Sequence, residues 1–171
     1  RHQGTADVSV TCHSDTWCAL ALNGPNSRAI LSQVTDTPLD NASFKWLTGQ
    51  EITIAGHKLW ALRLSYAGEQ GYELHLPREA MMAVYEALTE ACAPHNIVNY
   101  GSFAMNAMRM EKAFKGASEL TNEVTLVEAD VMRFASLDKD FIGKDAMMAQ
   151  GLVAKRYICA YLEIAQDGDV I

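Results

Sequence analysis

The order of hydrophobic and polar positions along the chain predicts several short strands. Residues 17–22 are nearly all apolar, so we expect this strand to be buried on both faces. The pair Gly56-His57 lies between two such segments and is typical of a hairpin turn. Alternation or unbroken apolar runs predict strands at residues 7–12, 17–22, 51–55, 58–65, 71–76 and 156–164.

Apolar residues recur at helical spacing in three further segments. A short helix is predicted after the turn at residues 23–26, and it ends before Pro38. Longer helices are predicted over 78–92 and 101–114. Residues 119–140 are rich in acids and lack a clear period, which predicts a partly irregular segment. The apolar stripe of the last predicted helix consists of Phe103, Ala107, Met110 and Phe114.

The predicted order of elements, β-β-α-β-β-β-α-α, indicates an α+β fold. Such an order is typical of a mainly antiparallel sheet with helices packed on one face. We expect the hairpin at 51–65 and the strand at 71–76 to share one sheet. The helices near 79–92 and 101–114 are expected to cover that sheet.

Composition is that of an ordinary globular protein, with 49% hydrophobic and 20% charged residues among 171. The chain has 14 Lys and Arg against 21 Asp and Glu, a net charge of −7. This acidic balance argues against a general phosphate-backbone binder, so we expect no nucleic-acid partner. The apolar runs are far shorter than the roughly 20 residues of a spanning helix, so we expect no membrane partner.

The four cysteines, at positions 12, 18, 92 and 159, form no C-x-x-C pair. We therefore predict no metal site and expect packed, reduced thiols. Reduced thiols favour a cytoplasmic location, or the mitochondrial matrix in a eukaryote. The chain opens at Arg1 without a leader and closes in a turn after Asp167-Gly168, so we expect a fragment of a longer protein.

Two segments carry residues that could do chemistry. Glu73 lies just beyond Gly68 and Gly71, which allow a tight turn and close approach to a ligand. It is either a solvent-facing residue or a carboxylate that accepts two N–H bonds from an amidine-like edge. Arg109 is either a solvated helix charge or, among neighbouring methionines, a cation that needs a carboxylate partner.

Five strings, read together, resemble the glycine-cleavage T-protein family of tetrahydrofolate-dependent aminomethyltransferases. The resemblance is greatest to the C-terminal, folate-binding half of dimethylglycine and sarcosine dehydrogenases. The strings lie in the family's order at close to its spacing. They are ALALNGPNSR from Ala19, ALRLSYAGEQGYELHL from Ala61, MNAMRMEKAF from Met105, ELTNEVTLVEA from Glu119 and DFIGKDA from Asp140.

This resemblance implies a tetrahydrofolate site. In such proteins the residues that match Tyr66 and Glu73 line the pterin pocket, and the glutamate faces the 2-amino and N3–H edge. The arginine that matches Arg109 lies in the same region. The implied activity is transfer of a one-carbon unit from an N-methyl amine or aminomethyl donor to tetrahydrofolate, with FAD only in an upstream domain.

The resemblance also implies a domain organisation. Residues 1–154 are expected to form part of a folate-binding domain that lacks its N-terminal part, and residues 155–171 to begin a truncated C-terminal barrel. No residue here is assigned a catalytic role, because the family's assisting aspartate lies upstream.

Two interpretations of the function remain open: a folate-binding part of an enzyme, or a non-catalytic folate-binding or structural relative. We expect the parent protein to be an enzyme. The isolated chain is expected to fold, to bind tetrahydrofolate weakly or not at all, and to be inactive. Exposed apolar surface favours its self-association.

Overall fold

The computed structural model describes residues 6–154 and 156–162. It divides into two compact units, Arg1–Lys112 and Ala113–Ile171. The domain boundary expected at residues 154 and 155 concerns the family's domains and stays a prediction.

The described part of the first unit contains a four-stranded sheet and three α-helices. The strand order is β1-β4-β3-β2, and neighbouring strands are antiparallel. This confirms the predicted α+β class with a mainly antiparallel sheet. The strands are β1 (Trp17–Asn23), β2 (Gly49–Ile54), β3 (His57–Leu62) and β4 (Gly71–Pro77), and the helices are α1 (Ser27–Val34), α2 (Met81–Cys92) and α3 (Ser102–Glu111).

One face of the sheet carries the hydrophobic core. Tyr72, Leu74 and Leu76 of β4 are all fully buried. They belong to one apolar cluster with Ile30 of α1 and Val84 of α2. Burying an apolar side chain of this size contributes about 1.5–3 kcal/mol. Alternation along β4 therefore fixes which face the helices cover.

The predicted hairpin is confirmed, with a shift of one residue in its turn. Ala55 and Gly56 connect β2 to β3 and have φ angles of 49° and 78°. Two successive left-handed residues are typical of a type I′ turn, whose twist matches that of paired strands. The turn is Ala55-Gly56 rather than Gly56-His57, because His57 already pairs with Ile54.

Two predictions for the N-terminal region are wrong. Residues 7–12 form no strand within the described chain, and Val10 is 96% exposed. Alternation alone supplies no partner for backbone hydrogen bonds. β1 is an edge strand that is not buried on both faces: Leu22 faces the core, whereas Ala19 and Ala21 are exposed.

The prediction that the 101–114 helix covers the sheet is also wrong. α1 and α2 supply the helical side of the core, whereas Phe103 of α3 is 91% exposed and Met110 is 51% exposed. A helical period shows which side chains share a face but not what covers that face. The helix also ends earlier than predicted, and Ala113 follows it with a left-handed φ of 58°.

The described residues of the second unit lie mainly in turns and irregular segments. Its described residues contain a short 3₁₀ turn at Met132–Phe134 and one α-helix, α4, at Lys144–Gln150. Residues 119–140 are largely irregular, as predicted. The strand predicted at 156–164 is wrong for residues 156–162, which form no strand, while residues 163 and 164 lie outside the described residues.

A buried carboxylate organises the second unit. Glu128 is 3% exposed and accepts hydrogen bonds from Nε and Nη2 of Arg156, at 3.1 and 2.9 Å. The backbone N–H groups of Thr125 and Arg156 also donate to it, at 3.0 and 3.2 Å. The Arg156 guanidinium first, and then the Thr125 backbone, hold the pKa of Glu128 well below its usual range.

We predict that acid weakens this unit through Glu128. Because the folded-state pKa of Glu128 is lowered, its contribution to stability is complete above the ordinary value of 4.5 and is lost as pH falls below it. Thermal unfolding can be followed by the ring-proton NMR signals of Tyr157 and Tyr161 at about pH 7 and about pH 3. The acid-induced fall in Tm should be smaller in Glu128→Gln than in the unsubstituted chain.

Asp138→Asn is the matched control, because Asp138 is an exposed acid of the same unit. It should keep the full fall in Tm on acidification. If Glu128→Gln shows the same fall as Asp138→Asn, the pair with Arg156 does not determine the acid response.

Candidate functional site

The face of the sheet opposite the core carries Glu73. Because side chains alternate along β4, Glu73 and His75 point away from Leu74. In the sheet register Trp60 of β3 pairs with His75, and Ala21 of β1 pairs with Glu73. Trp60 is 49% exposed, and the side chains of Glu73 and His75 are partly exposed. A carboxylate, an imidazole and an indole thus lie on one partly open surface.

The Glu73 carboxylate has one oxygen engaged and one available. Its Oε2 lies 3.3 Å from Nε2 of His75. Within the described residues Oε1 accepts no hydrogen bond, so it is available to an N–H donor. Two-residue spacing along a strand places both residues on one face, but it does not reveal the contact between them.

Arg109 and Glu73, which the resemblance places in one region, form no direct ion pair with each other. In the part of the chain that the structure describes, the side chain that contacts the Glu73 carboxylate is that of His75. An approach of Glu73 and Arg109 without direct contact stays a prediction.

Tyr66 lies in the loop at residues 63–70, between β3 and β4, and is 39% exposed. In the same loop Gly68 has a φ of 75°, and a Cβ built on it would lie 2.0 Å from Cγ of Lys112. The ammonium of Lys112 lies 3.6 Å from a carboxylate oxygen of Glu69. The loop therefore packs closely against the residue that caps the C-terminal end of α3.

Arg109 lies in the last turn of α3 and is 5% exposed. Its Nε donates to Oδ1 of Asn106 at 3.2 Å. Residues three apart lie on one side of a helix, so Lys112 and Arg109 are neighbours. The contact between Gly68 and Lys112 therefore brings the end of α3 that carries Arg109 to the loop that carries Tyr66.

Contacts that the sequence did not predict fix the beginning of β4. A Cβ on Gly71 would lie 2.1 Å from Oδ1 of Asn23 and 2.8 Å from Cβ of Ser65. The Asn23 amide donates to the hydroxyl of Tyr100, which lies 77 residues away in sequence. Turn-forming residues at Asn23 and Gly71 were visible in the sequence, but contacts over such separations were not.

Three further findings concern residues 6–154 and 156–162, which the structure describes. Within them, no group of three or more His, Cys, Asp or Glu side chains is placed to hold a metal ion. None of the helices there has the length and hydropathy to cross a bilayer. The four cysteines are free thiols.

The family model described as the GCVT N-terminal domain matches residues 1–139. The chain belongs to this family. The match confirms the resemblance that the five sequence strings indicated, and the matched residues of this GCVT domain include Tyr66, Glu73 and Arg109.

Relatives of this GCVT domain include two mitochondrial dehydrogenases. Dimethylglycine dehydrogenase of Homo sapiens is 36% identical over 96% of the chain. Sarcosine dehydrogenase of Mus musculus is 36% identical over 84% of the chain. Aminomethyltransferase of Thermoanaerobacter sp. is 31% identical over 87% of the chain. The chain spans 19%, 16% and 41% of these three relatives, respectively.

One solved structure that is similar to the chain is the heterotetrameric sarcosine oxidase from Corynebacterium sp. U-96, in complex with pyrrole 2-carboxylate. Its sequence is 17% identical, and the TM-score is 0.48. The similarity covers 57% of this chain and 49% of that one.

We predict that Gly68→Ala destabilises the first unit more than Gly56→Ala does. Both glycines have left-handed φ angles, 75° and 78°, but only Gly68 has Lys112 against its Cα, whereas a Cβ on Gly56 meets nothing within 4 Å. Backbone strain is therefore common to both variants, and overpacking adds at least about 1 kcal/mol in Gly68→Ala.

Tryptophan fluorescence in a urea titration measures this difference, because Trp17, Trp46 and Trp60 all lie in the first unit. Equal destabilisation by the two variants would show that the loop does not pack against the end of α3.

Proposed function

We propose that, within the complete gene product, this GCVT N-terminal domain binds tetrahydrofolate through the Glu73 face of its sheet. The complete gene product would then transfer a one-carbon unit from an N-methyl amine or aminomethyl donor to the bound tetrahydrofolate. The observation that carries the proposal is Glu73: a half-exposed carboxylate on an interior strand, within the residues that match the family. The names of the relatives support the donor class, since dimethylglycine and sarcosine are N-methylated amines.

Glu73 fits the role of pterin anchor chemically. The 2-amino and N3–H edge of a pterin presents two donors in one plane, and an ionised carboxylate presents two acceptors in one plane. Oε1 of Glu73 accepts no hydrogen bond among the described residues, so it can accept one N–H of the pterin. Oε2 would accept the second while also accepting from Nε2 of His75. The interior position of β4 holds this carboxylate in place, because both strand edges are hydrogen-bonded.

Tyr66 and Arg109 extend the proposed site. The exposed ring of Tyr66 offers a flat apolar surface for a pterin ring. Arg109 is nearly buried, so we assign its guanidinium to the wall of the site beside that loop. The close packing of Gly68 on Lys112 supports placing the two side chains in one region.

The residues of this chain would bind and orient rather than transfer protons. Tetrahydrofolate supplies N5 and N10, the two nitrogens that receive the one-carbon unit. Holding that acceptor in a fixed position reduces the entropic cost of the reaction. We assign no residue of this chain to acid or base catalysis.

We also propose a reducing compartment for the protein. Four free thiols and dehydrogenase relatives that are named as mitochondrial support the matrix in a eukaryote. The corresponding location in a bacterium would be the cytoplasm.

We predict that Glu73→Gln weakens tetrahydrofolate binding in the complete gene product. The substitution keeps the shape of the side chain but removes the charge and replaces one acceptor with a donor. The loss should be about 1.5–3 kcal/mol, the value of a hydrogen bond to a charged group. Isothermal titration calorimetry measures the dissociation constant.

Glu86→Gln on α2 is the control, because Glu86 is an exposed carboxylate on a helix that covers the other face. It should leave the dissociation constant unchanged. Equal affinity in Glu73→Gln and the unsubstituted protein would remove Glu73 as the anchor. Normal binding without one-carbon transfer would instead favour a non-catalytic folate-binding protein.

A further inference from the structure

Two arginines converge on one neutral oxygen near the core side of the sheet. Arg28, in the first turn of α1, and Arg63, just after β3, each donate from Nη2 to Oδ1 of Asn41, at 2.8 and 2.7 Å. The two nitrogens therefore lie at most about 5.5 Å apart, the sum of the two bond lengths. Both arginines are half-buried.

Neither guanidinium forms an ion pair with a carboxylate of the described residues. Their other acceptors are neutral: the carbonyl oxygen of Phe44 for Arg63, and the hydroxyl of Tyr72, at 3.5 Å, for Arg28. Asp40, the acid next to Asn41 in sequence, directs its carboxylate into its own turn, where it accepts hydrogen bonds at 2.6 to 3.1 Å. Among the residues that the structure describes, two positive charges thus lie close together with no carboxylate in ion-pair contact with either.

This arrangement leaves both charge and donors for a ligand. Like charges at this separation repel, and an anion between them would turn that repulsion into attraction. A guanidinium has five N–H donors in a planar fork. Two nitrogens of each arginine are engaged with protein acceptors in the bonds described, so further donors of Arg28 and Arg63 remain.

We propose that Arg28, Arg63 and Asn41 form a binding site for a small dianion, of the phosphate or dicarboxylate class. Two guanidinium charges balance a dianion, and the planar forks match the oxygens of either class. The site is distinct from the proposed folate site, because Arg28 contacts Tyr72 on the core side of β4 whereas Glu73 points to the opposite side. The inference does not rest on folate binding.

Thermal unfolding of the chain, followed by tryptophan fluorescence, tests the site directly. Sodium phosphate and sodium glutarate are titrated separately against sodium chloride at equal ionic strength and pH. We expect Tm to rise with phosphate or glutarate and to saturate, and not to rise with chloride. The anion that gives the saturating rise identifies the class. An equal response to chloride, or no saturating response to either anion, would overturn the proposal.

Arginine variants locate the effect. Arg28→Gln and Arg63→Gln should each raise the apparent dissociation constant of the anion by at least about tenfold, as expected for a charge-assisted hydrogen bond. Arg78→Gln removes the same charge from an exposed arginine that donates to the Ser14 carbonyl. It should bind the anion as the unsubstituted chain does, and an equal loss in all three variants would contradict the assignment.

Asn41→Asp tests the anion site with a carboxylate of the protein itself in place of an added anion. This test does not require the arginine variants to fold. The substitution puts a carboxylate between the two guanidinium groups, where it should raise Tm without added anion and abolish the response to phosphate or glutarate. Asn122→Asp adds the same charge at an exposed position and should do neither. An Asn41→Asp chain that is no more stable and still responds to the anion would refute the site.

Discussion

The alternation of side chains along β4 is the constraint on which both the core and the candidate site depend. β4 is an interior strand, so its backbone is hydrogen-bonded to β1 on one side and to β3 on the other. Tyr72, Leu74 and Leu76 anchor one face in the core. Glu73 is thereby held on the opposite face, since a shift by one residue would exchange the two sets.

Close backbone approaches connect this strand to the rest of the candidate site. Gly68 allows the loop before β4 to meet Lys112 at the end of α3, and Gly71 allows the beginning of β4 to meet Asn23. A side chain at either glycine would push these segments apart. The surface around Glu73 is therefore shaped by contacts that are distant in sequence.

Local patterns predicted much of the fold, because they depend on neighbouring residues. The alternation in 71–76 and the hairpin around Gly56 could be seen directly in the sequence. The exposed edge position of β1 and the exposed stripe of α3 could not, because hydrophobic spacing shows which side chains share a face and not what covers it.

The candidate site residues could be found from the sequence, but the contacts between them could not. Tyr66, Glu73 and Arg109 were found through their place in family strings, and not through spacing alone. The pairing of Glu73 with His75 required the strand conformation, and the convergence of Arg28 and Arg63 on Asn41 required the folded chain. Sequence patterns do not show that, among the described residues, Arg28 and Arg63 form no ion pair with a carboxylate.

Hydrogen exchange of the complete gene product, measured by mass spectrometry with and without tetrahydrofolate, tests the central claim most directly. A ligand held by Glu73 should cover the nearby backbone and reduce how often its hydrogen bonds open locally. We expect slower exchange in peptides that cover residues 63–76, and no change in the part of α2 that packs on the opposite face. Protection elsewhere in the protein at saturating tetrahydrofolate, with residues 63–76 unchanged, would contradict the account.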